Sequence, residues 1–241
     1  MPEESPKPVV TLGIPTGEYF TVCSDFHKCL TQLICYSYEN NVVEKINLIY
    51  AQSPNTAANR NTILNLHEGA YMVQIDADMT FPPNALEQLI DTAEKFPNAV
   101  ITGFGCVGNS PNFPAIYKWD GDKMEAHPTA DWPDEPFDVG VCGSFGFLVP
   151  DNIVKVLGNQ AFNHIIVENN ETKKTKEIEH DFAFCIRAQE NGFRIVCNPD
   201  IEFGHIRPYP IGKSDWLAQK EIVLASEKEA KKGDSKITVK E

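Results

Sequence analysis

Long hydrophobic runs are missing from this sequence of 241 residues. The longest mostly apolar stretches, residues 70–75 and 145–149, are far shorter than the roughly 20 residues that a membrane-spanning helix needs. The first eight residues are polar and hold three prolines, so we expect no signal peptide. The sequence therefore predicts a cytoplasmic protein that does not contact membranes.

Basic residues are also scarce, since 21 Lys and Arg face 34 Asp and Glu, for a formal net charge of −13. This balance disfavours binding along nucleic acid, which needs several phosphate-neutralising contacts, although it leaves a local basic site open. The seven cysteines are an odd number without a C-x-x-C pair, so we expect reduced core residues. A hydrophobic fraction of 42% is enough for a substantial core.

Strand-like and helix-like segments alternate along the first part of the chain. The predicted strands are residues 9–17, 44–50, 70–78 and 99–104, and the predicted helices are residues 19–38, 53–68 and 82–96. Ser53 and Pro54 suit the start of the second helix, and Gly69 suits its end. The alternation predicts an α/β fold, with a doubly wound, mainly parallel sheet and helices on both of its faces.

The rest of the chain is less regular. Residues 105–138 are rich in Pro, Gly, Asp and aromatic residues, which is typical of a functional loop region. We predict further strands over residues 139–149 and 193–199, a short helix over residues 153–157, and a helix that includes residues 182–189 and ends at Gly192. A Lys/Glu-rich surface helix or tail is predicted over residues 213–241. Residues 1–8 are expected to form a flexible leader, and residues 9–212 a single domain.

The tripeptide Asp76-Ala77-Asp78 follows a predicted buried strand. In an extended chain, residues two apart point the same way, so both carboxylates can face one point beyond the carboxyl end of the strand. Ligands of open α/β sheets bind at that edge, and carboxylates suit Mg²⁺ or Mn²⁺. The alternative is two ordinary turn aspartates.

Three other segments offer chemically useful side chains. The helix start that contains Arg60 can bind an anion such as a diphosphate, or can be a simple capped helix. Glu179, His180 and Asp181 open a predicted helix, where carboxylates stabilise the helix dipole and one of them can also act as a general base. His205 is a candidate metal ligand or a structural histidine.

Taken in their order along the chain, these segments resemble those of a GT-A-fold glycosyltransferase. The family is the large inverting one that includes cellulose-synthase-like and many bacterial and phage enzymes. The resemblance covers residues 9–211. Its motifs are "IPT", "AANRN", "DADMTFPPNAL", "GSFGFLV", "EHD" and "GHIRP".

The resemblance implies a GT-A-type, Rossmann-like domain with a nucleotide-binding half, residues 9–104, and an acceptor half, residues 105–212. The implied donor-binding residues are Ile14, Pro15, Thr16, Arg60, Asp76, Ala77, Asp78 and Arg207. The implied metal ligands are Asp78, His205 and Asp76, and the implied acceptor-binding residues are Gly143, Ser144, Phe145, Glu179, His180, Trp119 and Trp132. Asp181 matches the catalytic base of the family's Glu-Asp pair, and His180 stands where the Glu is expected.

The implied activity is transfer of a sugar from a nucleotide-sugar donor to an acceptor hydroxyl, with Mn²⁺ or Mg²⁺ as cofactor and inversion at the anomeric carbon. The alternatives are a retaining transferase similar to mannosylglycerate-synthase-like enzymes, a nucleotidyltransferase, and a carbohydrate-binding module without activity. A nucleotidyltransferase is disfavoured because "IPTGEYF" has one glycine and no basic residue. The acceptor is left open between a glycan, a small metabolite and a modified base in DNA, and so is the oligomeric state.

Overall fold

The computed structural model describes residues 6–18, 22–106, 114–119, 124–126, 133–168 and 175–206. Its helices are α1 (Ser24–Glu39), α2 (Thr56–Asn65), α3 (Ala85–Lys95), α4 (Asp151–Leu157) and α5 (His180–Glu190). Its strands are β1 (Val9–Thr16), β2 (Lys45–Gln52), β3 (Tyr71–Ile75), β4 (Met79–Thr80), β5 (Ala99–Gly105), β6 (Ile116–Trp119), β7 (Met124–Ala126), β8 (Phe137–Val139), β9 (Val141–Cys142), β10 (Gly146–Pro150), β11 (Ile165–Glu168), β12 (Thr175–Ile178) and β13 (Arg194–His205).

The central sheet has the strand order β2-β1-β3-β10-β5-β13-β4, with β8 also paired to β13. Strand β1 is parallel to β2 and to β3, and β5 is parallel to β13. Strand β10 is antiparallel to both β3 and β5, so β1, β2, β3, β5 and β13 share one direction. The predicted mainly parallel α/β sheet is therefore confirmed.

Helices cover both faces of this sheet. Every residue of β10 is buried, as are four of the five residues of β3. A strand with buried side chains on both faces must be covered on both, which is typical of α/β proteins. Helix α1 contacts α3, and α4 contacts α5. No helix in the described part of the chain is long and apolar enough to cross a membrane.

Helix α2 starts and ends inside the predicted limits. Its N-cap is Asn55, whose side-chain oxygen accepts the backbone N–H of Ala58 at 3.0 Å. The hydroxyl of Ser53 instead contacts the backbone of Asn55 and forms a turn before the helix. Gly69 does not close the helix, which ends at Asn65; its φ of 112° serves the turn that leads into β3.

The predicted single strand over residues 139–149 is wrong, since the chain there forms parts of three strands in two sheets. Strand β8 pairs with β13 in the central sheet, whereas β9 pairs with β6 in a separate three-stranded sheet. Gly140 allows the change, because a Cβ there would lie 2.2 Å from the backbone nitrogen of Trp119. Residues 105–138 are also more regular than predicted, because they include β6, β7 and most of β8.

The described elements belong to one compact unit that reaches Ile206. The predicted helix or tail over residues 213–241 lies outside the described residues.

Candidate active site

Asp76 and Asp78 lie at the carboxyl end of β3, as the sequence predicts, but they have different partners. The expectation of an extended chain is wrong, because the backbone N–H of Met79 donates to the carbonyl of Asp76 at 3.2 Å and forms a tight turn. The N–H of Asp76 donates to the carbonyl of Phe145 at 3.1 Å, which ties this turn to the start of β10. The two carboxylates therefore have to be considered separately.

Asp76 is held by Arg60 of helix α2. The Nη2 atom of Arg60 donates to Asp76 Oδ1 at 2.5 Å and to the carbonyl of Ser144 at 3.1 Å, and its Nη1 donates to the side chain of Gln74 at 3.3 Å. The Arg60 side chain is 1% exposed, whereas that of Asp76 is 30% exposed. Arg60 thus fixes Asp76 from inside the protein and leaves part of the carboxylate at the surface.

The surroundings of Asp76 favour its neutral form more than water does. Burial raises the pKa of Asp76, the charge and hydrogen bond of Arg60 oppose that shift, and the nearby charge of Asp78 adds to it. The guanidinium also lies 5.9 Å from the ring centre of Phe147 and 6.0 Å from that of Phe162. The ionised state of Asp76 therefore depends on Arg60.

Asp78 is paired with His205 from the far end of the chain. Strand β13 places His205 opposite Met79 of β4, and the N–H of Ile206 donates to the carbonyl of Asp78 at 2.7 Å. His205 Nε2 lies 3.0 Å from Asp78 Oδ2, and His205 Nδ1 lies 3.1 Å from the carbonyl oxygen of Cys106. Both side chains remain partly exposed, 19% for His205 and 43% for Asp78.

The contacts of His205 restrict its hydrogen-bonding roles. A carbonyl oxygen only accepts, so the 3.1 Å contact with Cys106 is a hydrogen bond only when His205 Nδ1 carries the proton. In the neutral form of that tautomer, Nε2 has a lone pair, and a cation bound there would contact both Nε2 and the Asp78 carboxylate. Asp78 and His205 are therefore candidate ligands for a cation.

Asp181 lies in the first turn of α5, where its Oδ1 accepts the backbone N–H of Phe182 at 2.8 Å. Burial raises the pKa of Asp181; the Phe182 hydrogen bond and the charge of Arg60 oppose that shift, and the charges of Glu179 and Asp76 add to it. The fold therefore brings Asp181 within electrostatic range of the Arg60–Asp76 pair. A carboxylate with a raised pKa is a better proton acceptor than an ordinary one.

His180 is uncharged at neutral pH. Burial lowers the pKa of His180 to about 4, and the positive charges of Arg60 and His164 contribute. Its ring stacks on that of His164, with 5.9 Å between ring centres. The position where the family pattern expects Glu thus holds a neutral side chain next to Asp181.

Comparison with known proteins identifies the family. The family described as "Glycosyl transferase family 2" matches residues 23–147, which is more than half of the chain. The protein belongs to glycosyl transferase family 2. The predicted glycosyltransferase resemblance and enzyme class are confirmed, and the coarse activity is that of a nucleotide-sugar glycosyltransferase.

Solved structures show that this family 2 glycosyltransferase has the GT-A fold. "A197 from STIV" is 14% identical, with a TM-score of 0.53, over 82% of this chain and 85% of that one. "GalNAc-T7 with UDP, GalNAc and Mn²⁺" is 12% identical, with a TM-score of 0.52, over 85% of this chain and 45% of that one. The chain thus spans less than half the length of the second protein. No curated protein sequence matches it.

The remaining predicted donor residues of the glycosyltransferase are positioned by β1. Ile14, Pro15 and Thr16 are buried at the carboxyl end of that strand. The hydroxyl of Thr16 donates to the carbonyl of Ala51 at 3.1 Å, and the Thr16 carbonyl accepts from Asn59 at 2.7 Å. A contact between these residues and a nucleotide base stays a prediction, as does direct contact of Arg60 or Ala77 with the donor.

The predicted acceptor residues are spread over several environments. Ser144 and Phe145 are buried in the turn before β10, while Gly143 is half-buried beside them. Trp119 packs partly buried against the core, and Glu179 is exposed as the N-cap of α5. Their contact with an acceptor stays a prediction. Trp132 and the predicted donor residue Arg207 lie outside the described residues.

Sequence reasoning missed three groups that shape the site. Gln74, which contacts Arg60, was detectable as the one polar side chain in the buried part of β3. Cys106 contributes its backbone carbonyl, so no side-chain pattern points to it. His164 carries no local signal, because it becomes relevant only when the chain folds it against His180.

Proposed function

We propose that this protein transfers a sugar from a nucleotide-sugar donor to an acceptor hydroxyl with inversion, with Mn²⁺ or Mg²⁺ as cofactor and Asp181 as general base. The observation that carries the proposal is the Asp78–His205 pair, whose Oδ2 and Nε2 atoms lie 3.0 Å apart at a partly exposed position. The pair lies at the carboxyl edge of the sheet, where the donor is expected.

The donor set fits a divalent ion that also binds the substrate. Within the described part of the chain, no group of three or more His, Cys, Asp and Glu side chains could hold a metal ion. Mg²⁺ in enzymes is commonly held by only one or two carboxylates, with the other ligands supplied by substrate phosphates and water. Asp78 and His205 would hold the ion, with Asp76 as a further candidate ligand. The structure of GalNAc-T7, a protein of the same fold that was solved with UDP and Mn²⁺, supports this choice.

The bound ion would offset the negative charge that the nucleoside diphosphate acquires as the leaving group. The protein groups around it position the donor. Asp76, oriented by Arg60 through Oδ1, keeps an exposed part of its carboxylate to accept a hydrogen bond from the donor's ribose. The buried hydrogen bonds of Arg60 limit the freedom of that carboxylate before the donor binds.

Asp181 would remove the proton of the acceptor hydroxyl. As the new bond from the acceptor oxygen to the anomeric carbon forms, the bond to the diphosphate oxygen breaks and its electron pair leaves with the diphosphate. Oδ1 of Asp181 accepts from the Phe182 N–H, so Oδ2 is the atom that would take the proton. His180, whose pKa burial lowers to about 4, adds no negative charge beside Asp181, so the shift in the pKa of Asp181 comes mainly from burial.

Calorimetric titrations of UDP, GDP, ADP, CDP and dTDP test the metal-dependent donor site. We expect one of these nucleotides to bind at least tenfold more tightly with Mn²⁺ than with EDTA. Equal affinity in the two conditions for every nucleotide would contradict the metal assignment. Proton NMR of the transferred sugar tests inversion separately, because a retained anomeric configuration would exclude Asp181 as the base of a single displacement.

A further inference from the structure

A polar groove leads away from the start of helix α5. Two adjoining clefts of ≈ 460 and ≈ 600 Å³ both include Asn55, Ala57, His164 and Glu177 in their walls. The smaller cleft reaches Glu179 and His180, directly before Asp181. The larger one continues along α2 to the loop that follows α4. We call these two clefts together the amide groove.

The larger cleft is lined mainly by side chains that both donate and accept hydrogen bonds. Side-chain amides are contributed by Asn55, Asn61, Asn65, Asn159, Gln160 and Asn163. An amide offers a carbonyl acceptor and two N–H donors, and a sugar hydroxyl likewise both donates and accepts. A wall of this kind matches a polyhydroxylated ligand at many points.

The groove offers little to an anionic ligand. No Lys or Arg is among the described residues that line either cleft, so a phosphate or a nucleic-acid backbone would find no cation there. In the larger cleft, the one described acidic residue, Glu177, is paired with His164 at 2.6 Å between Oε1 and Nδ1. In the smaller cleft, the exposed Glu179 adds a second carboxylate, so the lining as a whole disfavours an anionic ligand.

The wall of the groove is held in place before any ligand binds. The side chain of Asn61 accepts the N–H of Phe162 at 3.0 Å and donates to Asn163 at 2.8 Å, and Asn163 donates to Gln160 at 3.3 Å. Behind this wall, Arg187 of α5 donates to the carbonyls of Ala161 and Asn163. Because the wall is already ordered, the protein loses little conformational entropy when a sugar chain binds. Less of the binding free energy is then spent on ordering the protein.

We infer that the amide groove binds the acceptor, and that the acceptor is a neutral glycan of several sugar units rather than a small metabolite or DNA. The inference rests on the proposed function, because the groove reaches Glu179 and His180, the two residues before the proposed base Asp181. A sugar at that end would lie by the stacked rings of His164 and His180, and the rest of the glycan would extend along α2. Neither cleft includes Asp78 or His205 in its described lining, so the groove is separate from the proposed metal ligands.

Binding of defined oligosaccharides tests this inference without turnover. The probes are the tetrasaccharides of chitin, maltose, cellulose and mannan, their monosaccharides, and tetragalacturonate as an anionic probe. We expect at least one neutral tetrasaccharide to bind the full chain at least tenfold more tightly than its monosaccharide and than tetragalacturonate. Binding of none of the neutral tetrasaccharides, or tighter binding of the anionic probe, would overturn the inference.

Substitutions in the amide groove test whether the tetrasaccharide binds there. Asn159 and Gln160 are exposed, so the double variant Asn159→Ala/Gln160→Ala should fold normally and weaken tetrasaccharide binding at least tenfold. Ala58→Trp, which fills the groove from an exposed position of α2, should do the same. The matched control is Asn98→Ala/Asn152→Ala, two exposed amides elsewhere, with an expected change below twofold. Equal effects of the groove and control variants would overturn the assignment.

Donor binding separates this inference from the proposed function. The groove variants should keep Mn²⁺-dependent nucleotide binding within twofold of the unmodified protein. If the unmodified protein binds a tetrasaccharide through the groove but no nucleotide, the proposed function fails and the glycan site stands. If it binds nucleotide with Mn²⁺ but no tetrasaccharide, the glycan inference fails alone.

Discussion

The guanidinium of Arg60 donates a hydrogen bond to the carboxylate of Asp76 and connects the first half of helix α2 to the end of strand β3. The Arg60 side chain is almost fully buried, while Asp76 keeps part of its carboxylate at the surface. The pair thus transmits the position of α2 to a group at the proposed donor site. It also keeps Arg60 within range of Asp181, and the positive charge of Arg60 opposes the rise in the pKa of Asp181 that burial causes.

Replacement of Arg60 should destabilise the protein and impair the donor site together. Arg60→Met leaves the Asp76 carboxylate without its cation, so the pKa of Asp76 should rise further. Removal of one partner of a buried ion pair typically lowers the free energy of unfolding by about 3–5 kcal/mol. Because Asp76 is partly exposed, we expect a loss at or below the lower end of that range. Urea denaturation measures the loss of unfolding free energy, and calorimetry measures nucleotide binding.

Arg194→Met is the matched control for Arg60. Arg194 makes two hydrogen bonds of 2.7 Å to Asp138, but both side chains are at least half exposed. Exposed pairs contribute about 0–1 kcal/mol, so this variant should lose little stability and keep nucleotide binding. Equal losses in the two variants would show that burial of the Arg60–Asp76 pair is not what makes it important.

His205 and His164 should differ in their effect on metal-dependent binding. His205→Ala removes the nitrogen that faces Asp78 and should abolish the advantage of Mn²⁺ over EDTA in nucleotide binding. His164→Ala removes a histidine that is paired with Glu177 and lies in the amide groove, so the Mn²⁺ advantage should persist. If His205→Ala keeps the Mn²⁺ advantage, His205 is not a ligand.

Asp181→Asn should reduce kcat by roughly 10²–10⁴-fold, the usual contribution of a general base. The amide keeps the shape of the side chain and its hydrogen bond to Phe182, but it cannot take a proton at neutral pH. Metal-dependent nucleotide binding should persist. The control is Glu179→Gln, an exposed neighbour that should have a smaller effect. Near-normal turnover of Asp181→Asn would favour a retaining mechanism.

His180→Glu should move the acid limb of the kcat/KM profile to higher pH. Burial already raises the pKa of Asp181, and a new negative charge beside it would raise that pKa further. Because the base works only when ionised, activity should then be lost at a higher pH as the solution is acidified. His180→Gln should leave the limb in place, because the pKa of His180 is already lowered to about 4. An unshifted limb in His180→Glu would contradict Asp181 as the titrating base.

Gly103→Ala should destabilise the sheet next to the strand that carries His205. A Cβ at Gly103 would lie 2.1 Å from the backbone carbonyl oxygen of Ile201 in β13, which cannot move away cheaply. Overpacking of this kind costs about 1–3 kcal/mol, measurable as a lower denaturation midpoint. Gly17→Ala is the control, because nothing lies within 4 Å of its added Cβ. An unchanged midpoint for Gly103→Ala would show that β5 and β13 separate easily there.

The sequence by itself determined the features that depend on neighbouring residues. The alternation of strands and helices predicted the α/β fold, because the periodicity of apolar residues is a local property. It also placed Asp76 and Asp78 at a strand end and Asp181 in the first turn of a helix. Boundaries were less certain, as at α2, where Asn55 caps the helix and Ser53 does not.

Only the tertiary structure decided which of these residues meet. Arg60 was predicted from the sequence as a donor ligand, and the structure shows its guanidinium in contact with Asp76, Gln74 and Ser144. The Cys106 carbonyl contacts Nδ1 of His205, and the amide groove joins α2 to the loops around α5. Such contacts join residues that are far apart in the chain, and their geometry depends on how the whole sheet and its helices pack.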